Sequence, residues 1–374
     1  VTIDKSLTLR AAEGLESAPI IQGKLSIKDG ATIRGIVFDG TSEVADAIRI
    51  DDTVTGAPVV ISGCTVRNYT NRFVYVSLSG KIESLTIDDC IFIGADNSTT
   101  NKAIYASSAH TQVETLSVTN STFLNFNTGS NYFFRINCGE ELVLMPVVLI
   151  DHCTFYNCYD RRGVYLYNAG RSTIKNCISA FSERRDDTKS FTAYGDESIV
   201  KNVISYNVDL YGSAPKENII SKNPLFVDAE NGNFQLYKDS PAVGAGDDGS
   251  DLGDPRWGVS TENAPVGELP YECFKKPYSM SPTTHSVRIL WQTLDSNPSG
   301  TVYYGKTPDL GQKLTAETGW NVDGEGFVHV IELTGLEPFT EYYYQVGDES
   351  RRYETICTAK TAPEKGTDFR LVAF

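Results

Sequence analysis

Aromatic and cationic side chains recur along the first half of the chain at separations of 26 to 30 residues. In the segments AIRID, FVYVS, AIYAS, FFRIN, VYLYN and FTAYG, the residues between apolar neighbours are Arg49, Tyr75, Tyr105, Arg135, Tyr165 and Thr192. Two positions later come Asp51, Ser77, Ser107, Asn137, Tyr167 and Tyr194. Three positions before the first row come Arg72, Lys102, Tyr132, Arg162 and Lys189. We call these three rows the ladder.

The side-chain types of the ladder suit a long ligand that carries hydroxyl or carboxylate groups. Successive side chains of a strand point to opposite faces, so stacked strands would align the rows on one exposed surface. Tyrosine rings could stack on sugars, and cationic or amide groups could bind hydroxyls and carboxylates. We therefore predict a surface that binds an acidic plant or host polysaccharide, formed by Arg49, Arg72, Tyr75, Lys102, Tyr105, Tyr132, Arg135, Asn137, Arg162, Tyr165, Tyr167, Lys189 and Tyr194.

The same rows leave a polysaccharide lyase open as an alternative. β-Elimination from a uronic acid needs a neutralised carboxylate, a base for the adjacent proton and an acid for the leaving oxygen. The candidates are Arg135 and Arg162 for charge neutralisation, and Tyr165, Tyr105, Lys102 and Lys189 as base or acid. A glycoside hydrolase is disfavoured, because it needs facing carboxylates and the ladder offers only Asp51. A further alternative is that these residues merely cover a sheet, since aromatic residues favour strands.

A second repeated motif predicts the elements that position the ladder. The segments SGCTVRN, DDCIFIG, TNSTFLN, DHCTFYN, KNCISAF and KNVISYN align Cys64, Cys90, Ser121, Cys153, Cys177 and Val203 at separations of 24 to 32 residues. A constant local pattern at variable spacing indicates stacked strands joined by unequal loops, and helical periodicity is absent. We predict an all-β fold that begins with a right-handed parallel β-helix. Its aligned cysteines should be apolar interior filler, and its recurrent Asn residues should mark bends.

Bulk properties restrict the classes of partner. The chain has 33 basic and 48 acidic residues, a net charge of −15, which argues against a general nucleic-acid binder. The longest apolar stretch, Leu142 to Ile150, contains Pro146 and is far shorter than the roughly 20 residues of a membrane span. The abundance of Tyr, Asn, Ser and Thr suggests a secreted or outer-surface protein. Because the chain opens within strand-rich sequence, we expect further domains at both ends.

The segment from residue 223 to 257 carries a more specific signal. It contains Phe234, Leu236, Ser240-Pro241-Ala242, Ala245-Gly246, Asp251, Gly253 and Pro255-Arg256. This arrangement resembles the closing segment of pectate-lyase-like β-helix proteins, especially uncharacterised ones of Bacteroidetes. The resemblance covers residues 1–257 and implies a β-helix closed by this segment. Ca²⁺ is the one candidate cofactor, because Asp247, Asp248, Asp251 and Asp254 could bind it. The alternative is that these aspartates belong to a Gly/Asp-rich turn.

The resemblance says little about activity. The chain lacks the Gly-Glu-x-Glu type of motif with which relatives of alginate lyase bind Ca²⁺, and it lacks the clustered aspartates of pectate lyases. The histidines at positions 110, 152, 285 and 329 show no metal-ligand spacing, and no Ser-His-Asp order is evident. His152, beside a core cysteine, is expected to be a structural residue.

After a linker at 258–268, the pattern changes to short alternating strands, which predict a β-sandwich at 269–363. The segments VRILWQT (287–293), VYYG (302–305), LTGL (333–336) and YYYQVG (342–347) resemble the fibronectin-III-like N-terminal domain of purple acid phosphatases. Trp291 should lie in the sandwich core, and Cys273 and Cys357, in its first and last strands, could form a disulfide.

Residues 364–374 resemble the first strand of a metallophosphoesterase, whose metal ligands this chain lacks. An accessory region of a larger metallophosphoesterase is therefore the third functional alternative.

Overall fold

The computed structural model describes residues 1–365, except 42–43, 52, 55–56, 78–79, 95–100, 109–110, 127–131, 139–145, 168–170, 183–186, 265–270, 272, 294–298, 318, 323–325 and 349–350. The chain forms two compact units, Val1–Glu262 (unit 1) and Asn263–Phe374 (unit 2). Within the described residues, no helix has the length and apolar character needed to cross a membrane.

The regular secondary structure of unit 1 is almost entirely short strands. They are β1 (Thr2–Ile3), β2 (Leu7–Arg10), β3 (Ile20–Ile21), β4 (Leu25–Ile27), β5 (Ala31–Arg34), β6 (Val37–Asp39), β7 (Asp46–Ile50), β8 (Thr53–Val54), β9 (Val59–Ser62), β10 (Thr65–Arg67), β11 (Arg72–Val76), β12 (Lys81–Asp88), β13 (Ile91–Ile93), β14 (Lys102–Ser108), β15 (Gln112–Thr119), β16 (Thr122–Leu124), β17 (Phe134–Cys138), β18 (Val147–Asp151), β19 (Thr154–Tyr156), β20 (Val164–Leu166), β21 (Arg171–Ala180), β22 (Lys189–Ala193), β23 (Ile199–Tyr206), β24 (Asp209–Tyr211), β25 (Lys216–Ile220), β26 (Phe226–Asp228) and β27 (Asn233–Leu236). Two short 3-10 helices cover Ala229–Asn231 and Pro255–Trp257.

The strands up to β25 form a parallel β-helix with three faces. Face A is the nine-stranded sheet β1-β4-β7-β11-β14-β17-β20-β22-β24. Face B has the order β2-β5-β9-β12-β15-β18-β21, continued by β23 and β25. Face C, β3-β6-β10-β13-β16-β19, joins face B through the long strand β21. The prediction of an all-β fold that begins with a parallel β-helix is therefore confirmed.

Single residues in left-handed backbone conformation turn the chain between the faces. Between faces B and C, φ is positive at Gly63, Asp89, Asn120, His152, Asn176 and Asn202. After face C, it is positive at Asn68, Asn125, Asn157 and Asn207. Glycine, asparagine and aspartate tolerate this conformation best, which explains why Asn recurs where the chain must bend. The prediction that these residues mark bends is confirmed.

The interior of the β-helix is built from aligned residues of successive turns. Phe92, Phe123 and Phe155 stack with ring centres 4.9 and 4.8 Å apart. The aligned cysteines are buried free thiols, and each donates to a nearby carbonyl, as Cys90 does to Asp88 O at 3.2 Å. The predicted role of these cysteines as interior filler is therefore confirmed.

The closing segment (223–257) packs against the last turns of the β-helix. Phe234, Leu236 and Leu252 form a second apolar cluster with Tyr156 and Ile178. The backbone N–H of Ser260 donates to Leu236 O at 2.7 Å. Unit 1 therefore continues to Glu262, beyond the boundary at residue 257 that the sequence suggested.

Unit 2 contains two four-stranded antiparallel sheets, β28-β29-β33-β32 and β31-β30-β34-β35. Their strands are β28 (Lys275–Met280), β29 (Ser286–Thr293), β30 (Gly300–Gly305), β31 (Gln312–Ala316), β32 (Trp320–Val322), β33 (Gly326–Thr334), β34 (Glu341–Gly347) and β35 (Cys357–Lys360). Trp291 lies in the core, as predicted, and its Nε1 donates to the Tyr271 hydroxyl at 2.9 Å. Cys273 and Cys357 do not form a disulfide with each other, and Cys273 precedes the first strand instead of lying in it.

Candidate functional site

The ladder lies on face A in the strand register that the sequence predicts. In the first row of the ladder, backbone pairing connects Arg49 through Tyr75, Tyr105, Arg135 and Tyr165 to Thr192. Since adjacent strands are ~4.8 Å apart, each of these side chains has neighbours directly above and below it. The predicted alignment of aromatic and cationic residues on one face is therefore confirmed.

The side chains of this first row point away from the core. Val74 and Val76 belong to the apolar interior, whereas Tyr75 between them does not. Two consecutive residues, Phe73 and Val74, face inward, so the residue before them, Arg72, returns to the outer side next to Tyr75. This arrangement explains how residues three positions apart come to share the outer surface of face A.

Two tyrosines of the ladder are not exposed, and the expectation that they would be was wrong. Tyr75 is 4% and Tyr165 5% accessible to solvent. The Arg72 guanidinium lies 3.6 Å from the Tyr75 ring centre, and that of Arg162 lies 4.6 Å from the Tyr165 ring centre. Guanidinium groups bind aromatic faces favourably, so the arginines cover the rings. These two rings consequently support the surface and offer no free face to a sugar.

The accessible part of the ladder consists of other residues. Tyr167 is 40% accessible, and the Arg162 side chain is also exposed. The half-buried residues are Arg49, Arg72, Lys102, Tyr105, Tyr132, Arg135, Asn137, Lys189 and Tyr194. Tyr132 and Tyr167 stack on the two sides of buried Tyr165, with ring centres 5.9 and 5.7 Å from its own. A ligand on face A would therefore meet Arg162 and Tyr167 first.

At the N-terminal end of the ladder, carboxylates neutralise the arginines. Buried Asp46 accepts a hydrogen bond from Arg72 Nε at 2.8 Å and lies 3.7 Å from Arg49 Nη1. Asp51 accepts from Arg49 Nε. The prediction that Asp51 is the only carboxylate of the ladder was wrong, because Asp46 pairs in register with Arg72. The signal was present in the sequence: Asp46 precedes Arg72 by the same 26 residues that separate Arg49 from Tyr75.

At the C-terminal end, two arginines lack such partners. The Arg135 guanidinium lies 4.4 Å from the Tyr132 ring centre and donates to the Tyr132 hydroxyl. Among the described residues, no carboxylate pairs with Arg135 or Arg162. The Nε of Arg135 is buried and has no acceptor, which is an energetic cost of this arrangement.

The two lysines of the ladder differ in their surroundings. Lys189 forms an ion pair with Asp209, N to O 3.1 Å, and Asp209 is thus another carboxylate that the sequence interpretation missed. Burial lowers the pKa of Lys102, and the positive charges of Arg72 and Arg135 lower it further, against the attraction of Asp160. Lys102 consequently loses its proton more readily than an exposed lysine.

Two tyrosines of the ladder, Tyr132 and Tyr165, are poor candidates for a base. Burial raises the pKa of Tyr165, and burial together with Tyr105 raises that of Tyr132. A raised pKa keeps the phenol protonated at neutral pH, and covered Tyr165 could not reach a substrate proton. These properties disfavour Tyr165 as the base of a lyase and leave Lys102 as the better candidate.

The aspartates of the closing segment are engaged with separate partners. Asp247 forms ion pairs with Lys175 and Lys201, at 3.2 and 3.0 Å. Asp254 accepts from Arg256 Nε at 2.7 Å. Across the described residues, no group of three or more His, Cys, Asp or Glu side chains could hold a metal ion. The contacts favour the interpretation of this segment as a turn held by ion pairs.

The histidines lie in different parts of the fold. His329 stacks on Trp291 in unit 2, with ring centres 4.8 Å apart, and His285 Nδ1 lies 2.9 Å from Leu336 O. His152 has partners at both ring nitrogens, and one of them is distant in sequence. His110 and the phosphoesterase-like strand at 366–374 lie outside the described residues.

Comparison with known families assigns three parts of the chain. Residues 1–128 match the model described as Domain of unknown function (DUF4957), and residues 148–257 match Domain of unknown function (DUF5123). These two matches fall in the β-helix and include no pectate lyase family. No curated protein is similar enough to the chain to count as a match. Residues 278–361 match the model described as Purple acid Phosphatase, N-terminal domain, which supports the predicted fibronectin-III-like character of unit 2.

Proposed function

We propose that unit 1 binds an acidic polysaccharide along face A, with the centre of the site at Arg135 and Arg162. The observation that carries this proposal is that Arg135 in β17 and Arg162, two residues before the neighbouring strand β20, have no carboxylate partner among the described residues. Guanidinium groups bind carboxylates with two parallel hydrogen bonds, which suits the regularly spaced carboxylates of a polyuronate.

Neighbouring side chains supply the other contacts that a sugar chain needs. The exposed ring of Tyr167 can stack on a sugar face, and the half-buried amide of Asn137 can bind a hydroxyl. The buried ring of Tyr165 holds both arginines in place, because their guanidinium carbons lie 5.7 and 4.6 Å from its centre. The cations are therefore oriented before a ligand arrives, which reduces the entropic cost of binding.

Isothermal titration with polygalacturonate, alginate and a neutral β-glucan tests this proposal. We expect binding of an acidic polymer that weakens with added salt, and an affinity about tenfold lower in Arg162→Ala and Arg135→Ala. Arg171→Ala is the matched control, since this arginine lies on face B with a side chain 65% exposed. Absence of binding to both acidic polymers, or an equal loss in Arg171→Ala, would contradict the proposal.

A polysaccharide lyase remains a second candidate because the pKa of Lys102 is lowered. An uncharged lysine beside two arginines could remove the proton next to a neutralised carboxylate. The same polymers would then yield an unsaturated product with new ultraviolet absorbance, and Lys102→Ala would abolish it. Binding without that product would leave unit 1 as a capture module. Either activity agrees with a secreted or cell-surface location.

An accessory role beside a phosphoesterase is the third candidate, and it rests on the match of residues 278–361 to a purple acid phosphatase N-terminal domain. In that case unit 1 would hold a larger polypeptide on a glycan. This role would add to the binding proposed for face A and would not replace it.

A further inference from the structure

A cavity of about 370 Å³ lies where the closing segment packs on the bend between faces B and C. One side of the cavity is polar and contains His152 and Ser250. The remainder of its lining is largely apolar and includes Ile178, Phe226, Phe234, Leu236, Leu252 and Trp257. Its volume falls at the lower end of the range of small-ligand sites. No residue of the ladder lines this cavity.

Asp151, His152 and Ser250 form a continuous relay at the polar side of this cavity. Asp151 Oδ1 lies 2.8 Å from His152 Nδ1, and His152 Nε2 lies 2.7 Å from Ser250 Oγ. Carboxylate to Nδ1 and Nε2 to hydroxyl is the order of atoms by which a histidine activates a serine nucleophile. Because Ser250 is 98 residues away from His152 in sequence, only the folded chain brings the three groups together.

His152 lies at a bend where the adjacent turns carry asparagine. It has a φ of +50°, and the equivalent Asn120 and Asn176 have φ of +48° and +51°. Histidine shares with asparagine and aspartate a better tolerance of this conformation than most residues have, so the bend accepts His152 without strain. The bend fixes the imidazole between the end of β18 and the closing segment.

Charged neighbours favour the ionised form of Asp151. Asp151 also accepts from Asn176 Nδ2 at 3.0 Å and lies 3.4 Å from Lys175 Nζ. Burial alone would raise the pKa of Asp151, but His152 and Lys175 outweigh burial and lower it. The hydrogen bond that His152 donates to Asp151 raises the pKa of His152. An ionised carboxylate therefore orients an imidazole whose Nε2 faces the serine.

The turn around Ser250 fixes the hydroxyl and offers a donor beside it. The Ser250 N–H donates to Asp248 Oδ1 at 2.9 Å, and Ser250 O accepts from the Gly246 N–H at 2.8 Å. The backbone N–H of Asp251, which follows the serine and lines the cavity, has no acceptor among the described residues. Such an N–H next to a nucleophile can stabilise a developing oxyanion.

We propose that Ser250 and His152 are the catalytic residues of an ester hydrolase that acts on esters of small apolar acyl groups, with Asp151 as a positioning residue. Ser250 Oγ attacks the carbonyl carbon while its proton passes to His152 Nε2. The bond from carbon to the alcohol oxygen breaks, and the leaving alkoxide takes that proton. Water then attacks the carbonyl carbon of the acyl-serine and gives a proton to His152. The bond from this carbon to Ser250 Oγ breaks, and Ser250 Oγ takes the proton back from His152. The products are one carboxylic acid and one alcohol.

Labelling of the full chain with a biotinylated alkyl fluorophosphonate, followed by peptide mapping, tests the proposal directly. We expect the label on Ser250 and hydrolysis of p-nitrophenyl butyrate, with both lost in Ser250→Ala. His152→Asn should reduce both about a hundredfold, and it should fold because asparagine occupies the equivalent bend on the turns before and after it. Ser221→Ala, which alters an exposed serine remote from the relay in sequence, should leave both unchanged.

The Asp151→Asn variant separates positioning from structure. It should slow hydrolysis and move the pH of half-maximal rate downward, because the carboxylate that raises the pKa of His152 is gone. Asp248 and Lys175, the other charged groups that act on the imidazole, are unchanged in this variant. Absence of label on Ser250 in folded protein, or equal labelling of His152→Asn, would overturn the proposal. Polyuronate binding, measured on the same variants, should be unaffected. Each of the two proposals can therefore fail without the other.

Discussion

The two ends of the ladder contain the same types of side chain but differ in how their charges are balanced. At the N-terminal end, Arg49 and Arg72 are neutralised by Asp46 and Asp51. At the C-terminal end, Arg135 and Arg162 lie on tyrosine rings without a carboxylate partner among the described residues. A cation that already has a buried partner gains little from an external anion, whereas an unpaired guanidinium gains a full charge-assisted interaction.

Under the proposed function, this difference separates structural positions from ligand-binding positions within one repeated pattern. A row of arginine and tyrosine does not by itself define a binding surface, because ring coverage and ion pairing vary from turn to turn. Burial of Tyr75 and Tyr165 shows that the outer side of face A has a packed layer of its own. The exposed groups above that layer, Arg162 and Tyr167, are the ones available to a ligand.

The largest expected effect concerns the packed layer at the C-terminal end. Tyr165→Ala removes a buried ring beneath two arginines and should lower the free energy of unfolding by about 3 kcal/mol. Tyr167→Ala, its matched control two positions further along the chain and just after β20, should change it by less than about 0.5 kcal/mol but weaken polysaccharide binding. Urea denaturation of unit 1 followed by circular dichroism measures both. Equal stability of the two variants would show that the assigned burial is incorrect.

A smaller loss is expected at the N-terminal end. Arg72→Ala leaves the buried Asp46 carboxylate with only the more distant Arg49, so the free energy of unfolding should fall by about 2 kcal/mol. Affinity for polyuronate should remain within about twofold of the unaltered protein. The measurements are urea denaturation and titration calorimetry on one preparation. A large loss of affinity with unchanged stability would reverse the functional assignment of the two ends.

The smallest effect tests whether the N-terminal end can be converted into a binding surface. Asp51→Asn removes the partly exposed carboxylate that pairs with Arg49 and should raise the affinity for polyuronate about twofold to threefold, through one fewer repulsive charge and a freer guanidinium. Asp4→Asn, which has the same charge change on an exposed residue of another strand connection, serves as the control. No gain in Asp51→Asn, or an equal gain in Asp4→Asn, would mean that local pairing does not limit binding at this end.

Much of the fold followed from the sequence because a parallel β-helix repeats locally. Strand register depends on which residues alternate between interior and surface, and separations such as 30 residues between Tyr75, Tyr105 and Arg135 express that alternation directly. Bends at recurrent asparagines were predictable for the same reason, since their left-handed backbone restricts the residue type. The elements that were missed are two carboxylates, Asp46, which has the right spacing but an acidic side chain, and Asp209, the partner of Lys189.

The sequence by itself determined the faces of the β-helix, its core of stacked rings and thiols, and the order of residues along the ladder, because each depends on spacing between neighbouring turns. Only the tertiary structure decided which rings are covered, which arginines remain without a carboxylate, and that Ser250 meets His152. Those outcomes depend on how long side chains settle on one another and on where the closing segment returns to the β-helix. Contacts between residues so far apart in sequence leave no periodic trace in the chain.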